Sequence, residues 1–467
     1  MDTTQSFWQS LPVSPVVLAS VLVVGIVLGS MIVASKVPLV YNLRNLIVRW
    51  RTTLLTAAAF TLVIGLLVVM LAFVNGMYRL TEGSGNPANV MILSDGATDE
   101  MFSNLGYGDS DNIEREVVTV DEQGLPLAQP IAVERIQRGD KEVYLCSREV
   151  YLVVNQPIPH SEGEKRRRRF VQVRGLVDDQ IAARVHDLKL RPGGAWLSSG
   201  GVRQLPSDDS STPPLVVNEA LLGRGVAGVL GQDQGKDHLD VGDRFELGDR
   251  TWIVTGILDS AGSTFDSEIW IPQAKVKDFF VKDNYTTITV RLADARAARL
   301  FAHHVSLKYK NAAVQAQVET AYYSKLGETN KQFLVAIIFV TVIMAIGGVF
   351  GVMNTMFAAI SQRIRDIGVL RILGFAKWQI LVSFLLEALL IALVGGALGC
   401  TLGFLANGHS ATSMVSSGQG GKSVVLELVV DANILAAGML LTFVMGLLGG
   451  LLPALSAMRL KPLESVR

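Results

Sequence analysis

Cysteine is nearly absent. The 467 residues contain two, Cys146 and Cys400, so no disulfide framework is expected to hold this chain together. Histidine is scarce as well: only His303 and His304 of the six are adjacent, which is not metal-ligand spacing. Charge of neither sign is in excess, since 42 Lys and Arg balance 42 Asp and Glu. That balance gives no basic footprint for nucleic acid, and no nucleic-acid partner is expected. Catalytic signatures are missing too: there is no Gly-x-Ser-x-Gly and no His-Glu-x-x-His. The run Ser417-Gly418-Gln419-Gly420-Gly421-Lys422-Ser423 resembles the end of a phosphate-binding loop. However, Ser416 stands where its first glycine is required, and an apolar segment precedes it instead of a strand. No nucleotide site, metal or cofactor is therefore expected in this chain, and it does not read as an enzyme.

Apolar residues are what the chain has in abundance. They make up 49% of it, and the mean hydropathy is +0.37. They concentrate in five runs, at residues 15–35, 53–74, 333–360, 380–406 and 432–458, each as long as the ~20 residues that cross a ~30 Å hydrocarbon layer. The run at 15–35 has no basic segment before it, and its positive charge follows it; a retained span is expected, not a cleaved leader. Five crossings in a helical transmembrane bundle are thus expected.

Lys and Arg in the short connections set the orientation. Residues 1–15 carry none, residues 36–51 carry Lys36, Arg44, Arg49 and Arg51, and residues 407–431 carry only Lys422. Residues 360–377 hold Arg363, Arg365, Arg371 and Lys377 against Asp366, and the tail adds Arg459, Lys461 and Arg467. This distribution predicts an outside N-terminus, a cytoplasmic C-terminus and a large extracytoplasmic block. Four organisational parts follow: an anchor at 1–35, an interfacial plus transmembrane helix at 36–75, an external domain with stalk at 76–332, and a membrane region with three helices at 333–467.

The external block reads as α+β. Strand-like runs stand at 90–93, 142–146, 150–155, 170–174, 215–217, 250–258, 269–271 and 286–292, with helical segments at 273–281 and 293–309. Residues 198–214, rich in Gly, Ser and Asp, read as a surface loop or a subdomain boundary. Residues 312–332 place apolar side chains at helical spacing and predict a helical stalk rising from the third span. The run Lys165-Arg166-Arg167-Arg168-Arg169 has two readings: contact with anionic head groups or an acidic partner, and a solvated hairpin tip.

Within the membrane region, residues 360–377 combine cytoplasmic charge with a short amphipathic helix closed by Gly374, the pattern of a docking element. At 38–51, Leu39, Leu43, Leu46, Ile47 and Trp50 share one arc of about 100°, which predicts a helix lying in the inner interface of the bilayer. Glu387 is an ionisable group inside a span, either functional or bonded across helices near the connecting helix. Gly347 and Gly351, and likewise Gly395, Gly399 and Gly403, have small-xxx-small spacing, which suits packing within one subunit or between two.

Two stretches carry a family resemblance: Gly351-Val352-Met353-Asn354-Thr355-Met356 with Arg365-Asp366-Ile367-Gly368-Val369-Leu370-Arg371-Ile372-Leu373-Gly374-Phe375, and the ending from Leu452 to Arg467. They resemble the FtsX-like permease domain of MacB-type ABC systems. Arg49-Trp50-Arg51-Thr52-Thr53 is similar to the entry of that family's first helix, and Gly262–Trp270 to a piece of its periplasmic core domain. The resemblance implies a dimeric permease in the cell (inner) membrane, homodimeric or heterodimeric, served by a separate cytoplasmic ATPase that holds ATP and Mg, with or without a periplasmic adaptor. By position, Arg363, Arg365, Asp366, Ile367, Gly368, Arg371, Gly374 and Phe375 would meet the ATPase, and Glu387 matches an acidic position. ATP hydrolysis would then drive export or extraction of a cargo by mechanotransmission. The alternatives are a signalling subunit regulating an external cell-wall hydrolase and a membrane adaptor without an ATPase. The family has four spans, so the run at 15–35 is additional, and Asp366 stands where Glu is commoner.

Overall fold

The computed structural model describes residues 15–35, 44, 46–48, 50–158, 168–205, 215–260, 262–326, 328–417 and 420–458. They form two units: Met1–Asn75, Gln332–His409 and Glu427–Arg467 in one, Gly76–Lys331 and Ser410–Leu426 in the other.

The first unit is built on α1 (Pro15–Ser35), α2 (Trp50–Glu82), α3 (Glu328–Ser361), α4 (Ile364–Ile372), α5 (Lys377–Phe404) and α6 (Ala432–Met458). Among the described residues α2, α3, α5 and α6 are long and apolar enough to cross a membrane. The count is therefore four, one fewer than the five apolar runs predicted. α1 is helical over the expected residues, Pro15–Ser35.

Small residues set how these helices meet. Along α5, Gly395, Gly399 and Gly403 lie against Ala57, Thr61 and Gly65 of α2, again four apart. A Cβ on Gly395 would stand 2.6 Å from the Ala57 carbonyl oxygen, and one on Gly399 2.8 Å from that of Thr61. Such close approach lets the Thr61 hydroxyl donate to the Gly395 carbonyl at 3.0 Å. A second ridge of α5 (Ala388, Ala392, Gly396, Cys400) faces Gly450, Gly446, Thr442 and Gly438 of α6. α5 is the enclosed centre, with 67% of its most apolar stretch buried against 6% for α3. Gly347 and Gly351 lie on α3 with no atom within 4 Å of a built Cβ. The described part of the expected interfacial helix, Arg44 and residues 46–48, is helical, while the rest of 38–49 lies outside the described residues. So do the basic tail at 459–467 and residues 165–167 of the arginine run.

The second unit is a mixed α+β domain. Its main sheet orders Arg244–Leu247, Arg250–Leu258, Leu215–Gly223, Glu268–Pro272, Arg168–Leu176, Cys146–Pro157, Thr287–Arg291, Asn89–Ser94 and Val314–Val318, with Val202–Leu205 branching from Leu215–Gly223. Helices Gln273–Phe280 and Ala295–Lys308 fall where the sequence predicts them. Val90, Ile92, Val173, Trp252, Ile269 and Phe301 make the core. Cys146–Pro157 and Arg168–Leu176 form the two arms of one hairpin; Arg169, in the second arm, pairs with Asp233.

Two expectations are corrected here. Residues 312–332 are not one helix: Val314–Val318 is a strand paired antiparallel with Asn89–Ser94, and Glu319–Leu326 is a separate helix. Val314, Ala316 and Val318 alternate with two glutamines, a period of two that a sheet edge satisfies. Residues 407–431 are not a plain loop either, for strands Ser410–Ser417 and Gly420–Glu427 pair within them. There the Val425 amide donates to the Ser267 hydroxyl at 2.7 Å.

Candidate functional site

The connection between α3 and α5 carries the site. Arg363, at the N-cap of α4, has φ −116° and ψ 16°, which turns the chain sharply after Ser361. Its carbonyl accepts from the Ile367 amide at 3.0 Å, opening the helix. At the far end Gly374 adopts φ +96°, where a side chain is strained and glycine is at ease. The Phe375 amide then reaches back to the Leu370 carbonyl at 3.1 Å and the Gly374 amide to that of Arg371 at 3.2 Å. This reciprocal pair is a Schellman closure. α5 starts at once, with the Gln379 side chain accepting from the Ala376 amide at 2.9 Å.

One face of α4 is fixed to the bundle. Ile367 is buried among Ile360, Met356, Ile380, Phe384 and Ala457. Arg363 donates two parallel bonds to Glu387 of α5, at 2.7 and 3.0 Å. The two side chains are 6% and 5% exposed. Buried this deeply, the pair is held by its fork geometry; removing either member would strand a charge in an apolar setting.

The other face is bare. Val369, Ile372 and Leu373 are 50%, 67% and 69% exposed, and Trp378 at the start of α5 is 49% exposed. Arg365, Gly374 and Lys377 are exposed beside them. Residues 365, 369, 372 and 373 follow i, i+4, i+7, i+8, so they form one continuous stripe with a positive edge.

The structure thus divides the residues expected to meet a partner. Arg365 and Gly374 face outward, Arg371 and Phe375 are half-buried, and Arg363, Ile367 and Gly368 face the bundle. The Asp366 side chain lies outside the described residues. Val369, Ile372 and Leu373 were not singled out from sequence, although their spacing was readable there. An apolar residue in such a run looks like core until the packed face is known.

In the second unit a different constellation is sealed inside the domain. Arg174 binds Glu268 through Nε and Nη2 at 2.6 and 2.7 Å, Glu100 through Nη1 at 2.9 Å, and Glu149. His186 lies between Glu149 and Glu319, 2.8 and 2.9 Å away. Burial alone would lower the His186 pKa, but Glu149 and Glu319 outweigh it and lift it to about 10. Burial pushes Glu149 up, yet Arg174 and His186 hold it below the usual carboxylate range. All six side chains have no exposure, so the cluster organises the fold and is closed to a ligand. It also accounts for part of the 262–270 motif: Phe265 packs over Arg174, Glu268 pairs with it, and Trp270 is fully buried and donates to Glu268. Among the described residues no group of His, Cys, Asp and Glu is arranged to hold a metal ion.

Residues 53–305 match the model of the MacB-like periplasmic core domain, and residues 338–462 that of the FtsX-like permease C-terminal region. The uncharacterized ABC transporter permease YknZ of Bacillus subtilis (strain 168) is 26% identical over 315 residues, covering 63% of this chain and 75% of that protein. The macrolide export ATP-binding/permease protein MacB of Shewanella sp. (strain ANA-3) is 28% identical over 235 residues, 48% of this chain. The match spans 34% of that MacB protein. Among solved structures, the periplasmic region of MacB from Actinobacillus actinomycetemcomitans aligns at a TM-score of 0.32 and 13% identity, over 53% of this chain and 95% of its own.

Proposed function

Because the chain belongs to the ABC-transporter permeases with a MacB-like periplasmic core domain and an FtsX-like permease C-terminal region, we propose that it is the membrane subunit on which a separate cytoplasmic ATPase acts. The ATPase, holding ATP and Mg, docks on α4; its cycle displaces the helices and moves the external domain against a cargo to be exported or extracted.

One observation carries this reading. α4 is fixed to the bundle on one side by Ile367 and the Arg363–Glu387 pair, and shows an exposed apolar stripe with a basic edge on the other. A helix anchored on one face and bare on the opposite one suits transmission of a push from a docked partner. The charge distribution supports a cytoplasmic location for it and an extracytoplasmic one for the 76–332 domain. The nearly uncovered α3, with Gly347 and Gly351 open, suits a second permease subunit.

Copurification in mild detergent tests the proposal. An ATPase subunit should travel with the chain, and Ile372→Asp with Leu373→Asp should abolish its association while the permease stays monodisperse. A chain that brings no ATPase with it, or a double variant that still does, overturns the reading.

A further inference from the structure

Between α1 and the α5–α6 pair lies a cavity of about 670 Å³. Its walls are Val24 and Gly25 of α1, Ala397 and Cys400 of α5, and Ala436 and Met439 of α6, with almost no polar atom among them. Water does not settle in such a space, because it needs several polar partners to do so. It opens onto the apolar outer surface of the helices and is no sealed void, so an apolar group from outside can enter it. Something apolar fills it.

Its shape selects the occupant. A helix about 10 Å wide with its side chains would fill this volume with only about one and a half turns, too short a piece to be a spanning helix of another subunit. A single hydrocarbon chain, narrow and flexible, fits the same space. Leu440, on the cavity rim, is 41% exposed, and Leu22 and Ile26 of α1 beside it are 58% and 67% exposed. The cavity is thus continuous with the apolar surface that the bundle offers to the bilayer. Its lining falls in the second half of α5 and the first third of α6, at the end of the bundle that carries residues 405–431.

We infer that this cavity is an acyl-chain site, holding one chain of a bilayer phospholipid from the leaflet bordering the 405–431 connection. The chain then acts as filler between α1 and the α5–α6 pair. This inference rests on the membrane placement of α5 and α6 and is independent of any ATPase.

The test uses the full chain in phosphatidylethanolamine and phosphatidylglycerol vesicles, part of the phospholipid carrying a diazirine midway along one acyl chain. After transfer to mild detergent to strip loosely held lipid, the sample is irradiated and the labelled peptides are mapped; native mass spectrometry counts retained phospholipid. Label should concentrate on Ala397, Cys400, Ala436, Met439 and Leu440. Ala436→Phe or Ala397→Phe should reduce it several-fold, whereas Leu402→Phe, on the exposed face of α5, should not. Three results would each overturn the proposal: no phospholipid retained by the wild type, label spread equally over Leu398 and Leu402, or retention unchanged in a folded Ala436→Phe chain. Disulfide capture of Cys400 by Cys400 of a second copy would overturn it too. If the filled variants fail to fold, the wild-type label map alone decides.

Discussion

The imidazole of His186 lies 2.9 Å from the carboxylate of Glu319, the first residue of the helix that precedes α3 in the chain. The other oxygen of Glu319 accepts from the Asn86 amide at 2.8 Å and the Asn89 side chain at 2.7 Å, just after α2. One carboxylate therefore ties both passages of chain that enter the domain from the apolar helices. Through His186 and Glu149 it is bonded to Arg174 in the middle of the sheet. A pull on either passage would be resisted at a single fully buried group.

That arrangement makes stability depend on pH, with a definite sign. The unfolded histidine titrates near 6.5 and the folded one near 10. Below the first value both states hold the proton and the pairing contributes in full. Between the two, only the folded state keeps it, so the contribution declines as pH rises and is gone above the second. The total effect is on the order of a few kcal/mol. Thermal unfolding of the full chain should show the Tm of the domain transition falling steadily from about pH 6.5 to about pH 10. His186→Gln should have a lower Tm and a flatter profile over that range. A wild-type Tm that does not change across it would contradict the pairing.

This cluster was invisible in the sequence. Glu100, Glu149, Arg174, His186 and Glu319 are scattered over more than two hundred residues, and only Glu268 stood inside a recognisable motif. Long-range sheet pairing, which periodicity does not report, brings them together. By contrast, four apolar helices, the short helix α4 with its closing Gly374 and most of the central strands were legible, because each is written in local spacing. The strand Val314–Val318 was missed for an instructive reason. Its alternation spans five residues inside a longer stretch that also satisfies helical spacing, and only its partner Asn89–Ser94 decides between the two. Small-residue spacing was legible on α5 and α3 alike, but which face of each helix is covered was not.

The glycines of those two helices should therefore respond differently to substitution. On α5, Gly399→Leu would drive a side chain into the Thr61 carbonyl and the Ile64 side chain of α2. Overpacking of this kind costs about 1–3 kcal/mol or more, and the chain should lose thermal stability in detergent. On α3, Gly347→Leu meets open space within its own chain and should leave that stability unchanged. If α3 is the subunit interface, Gly347→Leu should instead lower the dimer fraction in cross-linking or single-molecule counting. Equal destabilisation by both variants would show that α3 is covered within the subunit.

The Arg363–Glu387 pair supports a prediction with an internal control. Glu387→Gln leaves the Arg363 guanidinium buried with no counter-charge, and Arg363→Gln leaves the Glu387 carboxylate in the same position. Each should cost about 3–5 kcal/mol, the usual penalty for stranding one member of a buried pair. The double change Arg363→Met with Glu387→Met removes both charges while keeping apolar bulk, and should recover most of the loss. Tm measurements on the four chains would read this directly. Coupling need not recover with stability, because two methionines pack without the two parallel bonds that fix the start of α4 against α5. The double variant should still copurify with the ATPase through the intact Ile372 and Leu373 face, yet couple hydrolysis to transport less tightly than the wild type. Full coupling in the stable double variant would reduce the ion pair to a fold element and leave the packing of Ile367, Leu370 and Phe375 to hold α4.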